Sequence, residues 1–142
     1  MQVFQTIDSS HETPLIAYFP YLDYVPQTQT YCIPDFMQDR NTLYLNRIHE
    51  NSGEVLNLSF TSSLDLLKNC DGLLIPGGCD IDPTLYHQRK DPRTCIHELG
   101  LRRAEMERKI IEFLPKEMPI LGICYGAQIL NVFNGFLSIY FL

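Results

Sequence analysis

Cys124 lies in the stretch PILGICYGAQILNVFNG, residues 119–135, between Gly122 and Gly126. Residues Gly122 to Gly126 carry the glycine-x-nucleophile-x-glycine spacing of a nucleophile elbow, a tight strand-to-helix turn. Such a turn forces the nucleophile into an unfavourable backbone region and crowds the residues beside it, so glycine flanks it on both sides. A helix opening at Tyr125 aims free N–H groups and the positive end of its dipole at the thiol, which favours thiolate. The same N–H groups can stabilise an oxyanion. The plainer alternative for Cys124 is a small buried hydrophobe, the usual role of a free cysteine.

A second loop bears on that choice. Pro76-Gly77-Gly78 follows the apolar run Leu73 to Ile75, and glycine there lets backbone N–H groups come close to a substrate oxygen. One loop with a thiol and one with free amides make half of an acyl-transfer site. Taken alone, Pro-Gly-Gly is also an ordinary tight turn. The other half would be a histidine that takes the thiol proton, and a carboxylate that orients it. All four histidines, His11, His49, His87 and His97, precede Cys124. His87 reads as an exposed loop residue, and His49 and His97 as ordinary surface positions.

The stretches DGLLIPGGCDIDPTLY (71–86) and PILGICYGAQILNV (119–132) together resemble the gamma-glutamyl-gamma-aminobutyrate hydrolase family, within the class I glutamine amidotransferase-like superfamily. The resemblance covers roughly residues 41–135. Asp71-Gly72, Pro76 to Gly78, Asp80, Asp82-Pro83, Leu85-Tyr86 and most of the elbow carry it, with Arg103 and Glu107 at the spacing of the family's RDxxE helix. It implies a flavodoxin-like fold and a cysteine hydrolase of gamma-glutamyl amides working through a thioester. Cys124 would match the nucleophile, and the backbone N–H groups of Gly78 and Tyr125 the oxyanion hole. Gly77, Gly122 and Gly126 would shape the loop and the elbow. Arg103 and Glu107 would brace the site, or form no more than a surface ion pair of little energy. The implied partner is a small gamma-glutamyl substrate, and no cofactor is required.

This chain departs from the family pattern in four ways. Cys79 stands in place of a third glycine, which would cost strain if the position needed a positive φ. Tyr125 replaces an arginine, and Ala104 replaces the aspartate of RDxxE. The superfamily's histidine and carboxylate follow the cysteine, whereas the 18 residues after Cys124 contain no His, Asp or Glu. The expectation is therefore a single incomplete domain over 1–142, with its C-terminal part missing. Residues 1–13 would be irregular, and 136–142 an atypical apolar tail open to self-association. A complementing C-terminal chain could supply the missing groups. A catalytically incompetent fragment, and a redox or chaperone-like use of the same cysteine elbow, are the competing readings.

The bulk properties narrow the field. A chain of 142 residues with 45% hydrophobic and 20% charged residues suits one domain with a real core. Its net charge of −6 offers nucleic acid no basic surface. Five cysteines, without a CxxC pair, argue against a disulfide framework or a zinc site and for a reducing cytoplasm. The N-terminus lacks the basic and apolar regions of a signal peptide. Ile120 to Leu142 is uncharged and long enough to span a bilayer, but Gln128, Asn131, Asn134 and three glycines speak for buried strand, turn and helix instead.

The elements that must position the two loops follow from periodicity. Strands are expected at Leu15–Phe19, around Val55–Leu58, at Leu73–Ile75 and from Ile120. Helices are expected over about 39–51 with Gly53 as C-cap, from a Ser62–Asp65 capping box through Lys68, over about 98–114, and over 125–133. On the 98–114 helix, Arg103–Glu107 and Glu105–Lys109 read as charge pairs on the wetter side. Residues 27–40 read as a loop. Strands alternating with helices mean βαβ units and a doubly wound parallel sheet, helices on both faces. Ligands of such sheets bind beyond the carboxyl ends of the strands, where both loops sit.

Overall fold

The structure, a computed structural model, describes residues 13–135. The apolar tail at 136–142 and nearly all of the segment 1–13 lie outside the described residues. Four parallel strands form the main sheet: β1 (Leu15–Tyr18), β4 (Glu54–Asn57), β5 (Gly72–Ile75) and β6 (Ile120–Gly122). Their spatial order is β4-β1-β5-β6. Chain order therefore runs outward from β1 to β4 on one side, then returns to β5 and β6 on the other. That reversal is the flavodoxin-like arrangement, with its switch point between β1 and β5. The register sets Ala17 opposite Leu56 on one side and Leu73 on the other, and Ile75 opposite Gly122.

The connections are helical, as parallel strands require. Helix α1 (Asp35–Glu50) starts four residues earlier than its apolar pattern suggests, just after Pro34, whose φ of −66° suits a helix entry. Its end is a Schellman motif: Gly53 N–H donates to Ile48 O at 2.9 Å and Ser52 N–H to His49 O at 3.0 Å. The left-handed residue is Ser52 (φ 61°), not the expected Gly53. A six-residue 3-10 turn, Leu64–Asn69, is capped by Ser63, one residue beyond the expected Ser62. Helix α2 (Gly100–Phe113) precedes β6, and α3 (Tyr125–Phe133) follows it.

The segment expected to be loop contains half of a small hairpin. β2 (Asp23–Val25) pairs antiparallel with β3 (Thr30–Cys32). Its strands are three residues long and separate from the main sheet, so they leave almost no alternating signature.

The core lies where α2 and α3 meet the sheet. Phe19, Ile75, Ile110 and Ile129 are fully buried there, with Ala104 and Leu114. All four residues of β5 are buried, so both faces of the sheet are covered at its centre. Among the described residues, no helix is long and apolar enough to cross a membrane.

Candidate active site

β6 ends at Gly122, and Ile123 N–H donates to Ile75 O at 2.9 Å, tying the chain to the carboxyl end of β5. The chain then turns at Cys124, which caps α3 with φ 52° and ψ −108°. For a residue with a Cβ that backbone is strained by roughly 1–3 kcal/mol. The glycines make the turn possible through close approach rather than through positive φ. A Cβ on Gly122 would overlap the backbone of Gly126, and a Cβ on Gly126 would overlap the carbonyl of Ile75. The Cys124 side chain is exposed, which removes the buried-hydrophobe alternative; Cys70 is the buried cysteine.

The loop Pro76-Gly77-Gly78 faces this turn. A Cβ built on Gly77 would lie 3.7 Å from the Cβ of Cys124. That is ordinary contact, so Gly77 keeps the space beside the thiol open without being sterically compelled. Gly78 is compelled: a Cβ there would strike the Arg103 guanidinium and come within 2.9 Å of the Tyr21 ring. Neither Gly78 N–H nor Tyr125 N–H has a hydrogen-bond partner among the described residues. Cys79, next in line, has no positive φ, so the expected strain at that position is absent.

Arg103 and Glu107 form no surface pair. They are 5% and 1% exposed, on the inward side of α2 rather than the wetter one. Glu105–Lys109, at 2.8 Å, is the exposed pair. Arg103 Nε donates to Glu107 Oε1 at 2.8 Å, its Nη2 to Pro76 O at 3.1 Å and its Nη1 to Gly77 O at 3.3 Å. In a trans peptide the N–H points opposite to the C=O. By holding the Gly77 carbonyl, Arg103 therefore turns the Gly78 N–H to the far side of the loop.

Tyr125 completes the support. Its hydroxyl donates to Glu107 Oε2 at 2.7 Å, and its ring centroid lies 3.9 Å from the Arg103 guanidinium carbon. Burial first, then the nearby Glu107 charge, keeps that hydroxyl protonated far above the ordinary tyrosine range. Burial likewise pushes the Glu107 carboxyl upward, while Arg103 and the Tyr125 hydrogen bond pull the other way. One buried network thus joins α2, α3 and the glycine loop. Ala104, in place of the family's aspartate, simply packs in the core.

The histidines fall elsewhere. His49 Nδ1 lies 3.1 Å from Gly53 O at the end of α1, and His87 is exposed at the end of a short 3-10 turn (Pro83–Tyr86). His97 is not the plain surface residue its sequence context suggests. It packs at a tilt against the Tyr21 ring, with centroids 4.9 Å apart, its Nε2 lies 2.5 Å from Asp23 Oδ1, and its Nδ1 accepts from Leu99 N–H at 3.2 Å. Both ring nitrogens are engaged, so His97 has none free for the Cys124 thiol. His11 lies outside the described residues. Among the described residues, no group of three or more His, Cys, Asp or Glu side chains is placed to hold a metal ion.

Sequence reasoning missed the Tyr125–Glu107 bond and the His97–Asp23 pair. Their partners are 18 and 74 positions apart and meet only through tertiary packing. The one available signal was the arginine-to-tyrosine exchange after the nucleophile.

The stretch that folds into this elbow and glycine loop lies within a region that matches known proteins in sequence. Residues 29–137 match the peptidase C26 family. The chain belongs to that family. It is similar to a glutamine amidotransferase-like protein of Rickettsia prowazekii, 35% identical over 137 residues, which cover 87% of this chain and 45% of that protein. It is also similar to protein NtpR of Enterococcus hirae, 32% identical over 96 residues, 65% of this chain and 39% of that one. The HisH subunit of imidazole glycerol phosphate synthase from Prochlorococcus marinus is 30% identical over 73 residues, 51% of this chain and 29% of its own. The chain spans less than half the length of these relatives.

Proposed function

We propose that this chain carries the nucleophile half of a cysteine-dependent hydrolase of gamma-glutamyl amides. The observation behind the proposal is the strained, exposed Cys124 at the N-terminus of α3, beside Gly77, with the Gly78 and Tyr125 N–H groups unpartnered among the described residues. In this reading the Cys124 thiolate attacks the gamma-carbonyl, and Gly78 and Tyr125 N–H groups receive the developing oxyanion. The C–N bond then breaks, the amine leaves with a proton, and water releases glutamate from the thioester. Gly122 and Gly126 allow the turn, Gly77 leaves room for substrate, and Arg103 and Glu107 hold the oxyanion loop in place.

Taking the thiol proton and returning it to the amine falls to groups beyond the described residues, supplied by a complementing C-terminal chain. A second reading, a catalytically incompetent fragment, is favoured by the engagement of both ring nitrogens of His97. Self-association along β6 belongs to the same proposal: β6 bonds only β5 among the described strands, and Leu121 on it is 61% exposed.

Turnover separates these readings. The chain is mixed with the C-terminal portion of the Rickettsia relative and assayed on gamma-glutamyl amides. Turnover that appears in the mixture and vanishes in Cys124→Ala is the expected result. Turnover that survives Cys124→Ala would remove the cysteine from the mechanism, and none in a mixture shown to associate would favour the incompetent fragment.

A further inference from the structure

Two thiols outside the elbow are brought together beside the glycine loop. Cys79 directly follows Gly78, and Cys95 lies 16 residues on, yet their sulfurs are 4.0 Å apart. The backbone holds them there from both sides: Asp80 N–H donates to Cys95 O, and Cys95 N–H donates to the Asp80 carboxylate, each at 2.8 Å. Cys95 is exposed and Cys79 half-buried, so small reagents can reach the pair.

The chemistry of the two sulfurs is unequal. The Cys95 thiol donates toward the Cys79 sulfur, and the Tyr21 hydroxyl lies 3.4 Å from that same sulfur. Tyr21 keeps its proton, because burial and the contact with Cys79 raise its hydroxyl far above the ordinary range. The Cys95 thiol donates to the Cys79 sulfur, so we assign Cys79 as the sulfur that attacks first and the more exposed Cys95 as the resolving one. A disulfide needs the sulfurs at about 2.05 Å, a closure of about 2 Å from where they stand.

We propose that Cys79 and Cys95 are a modification site: a dithiol that closes to an intrachain disulfide on exposure to peroxide or to a small-molecule disulfide. With peroxide, the Cys79 sulfur attacks an oxygen, the O–O bond breaks, and Cys79 becomes a sulfenic acid with loss of water. The Cys95 sulfur then attacks the Cys79 sulfur, the S–O bond breaks, and a second water leaves. Overall, two thiols are oxidised and one peroxide is reduced to two waters. With a small disulfide, two exchange steps give the same bond and two small thiols.

The location gives the bond a consequence, and this part rests on the proposed function. Closing it draws the Cys79 sulfur away from Tyr21, whose ring packs against Gly78. It also pins the 80–94 segment, which forms one wall of an open cleft of about 560 Å³; Ile96, His97, Glu98 and Leu101 form the other. Oxidation would therefore act on the proposed oxyanion loop without touching Cys124.

The test is a thiol map of the whole chain, which needs no activity. The protein is treated with a few equivalents of hydrogen peroxide, and separately with oxidised glutathione. Remaining thiols are blocked with N-ethylmaleimide, and the digest is read by mass spectrometry without reduction. The expected result is a Cys79–Cys95 linked peptide as the main product, abolished by Cys95→Ser, with Cys79 in that variant trapped as sulfenic acid or as a glutathione adduct. Independent blocking of Cys79 and Cys95 after oxidation would overturn the proposal. So would a predominant bond from Cys79 to Cys32 or Cys124, or unchanged crosslinking of Cys79 in Cys95→Ser. Thermal unfolding of Cys95→Ser beside the parent shows that the variant is folded.

Discussion

At the scale of single residues, the site depends on one unfavourable backbone position and two close approaches. Cys124 occupies φ 52°, ψ −108°, and its neighbours Gly122 and Gly126 leave no room for a Cβ. The G-x-C-x-G spacing made all three legible in the sequence, because the steric demand falls on neighbouring residues. Gly78 was legible as a glycine, but its cause was not. It makes way for Arg103 and Tyr21, which lie 25 positions later and 57 earlier. The strain at Cys124 has a measurable counterpart. Cys124→Gly relieves roughly 1–3 kcal/mol of strain and returns about 0.5–1 kcal/mol through the freer unfolded chain. The variant is therefore expected to be about 1 kcal/mol more stable than the parent in urea unfolding, although it has lost the thiol. A loss of stability would mean that the elbow carries no strain at this position.

At the scale of elements, α2 and α3 are locked to each other and to the end of β5 by Arg103, Glu107 and Tyr125. The i,i+4 spacing of Arg103 and Glu107 was readable, but spacing cannot say which side of a helix faces inward when both sides carry charge. The apolar neighbours Ala104 and Ile110 settle it by burying that side. The hairpin and the early start of α1 escaped because three-residue strands and a proline-led first turn carry little periodicity. The network predicts a graded pair of variants. Tyr125→Phe leaves Glu107 Oε2 without its donor and is expected to cost about 1–3 kcal/mol. Glu107→Gln leaves Arg103 buried without a counter-charge and is expected to cost about 3–5 kcal/mol. Chemical denaturation of both variants checks the order, and equal small losses would show that the network is peripheral.

At the scale of the whole molecule, the sheet order β4-β1-β5-β6 places both key loops at the carboxyl ends of adjacent strands. That much followed from alternating strand and helix patterns, which require parallel pairing with crossovers. The long-range pairings His97–Asp23 and Cys79–Cys95 did not follow, since only the folded chain brings them together. The fold thus sets the exposed Cys124 thiol beside Gly77 and leaves Cys32 and Cys95 exposed and Cys79 half-buried. In the proposed function Cys124 is the one activated thiol among them. The direct measurement is the rate at which each of the five thiols is alkylated by a gamma-glutamyl chloromethyl ketone under reducing conditions, read by peptide mass. Cys124 is expected to react at least about tenfold faster than any other thiol, because among the five cysteines it alone caps the N-terminus of a helix. Equal rates at the accessible thiols, or faster reaction at Cys79 or Cys95, would contradict the assignment of Cys124 as the nucleophile.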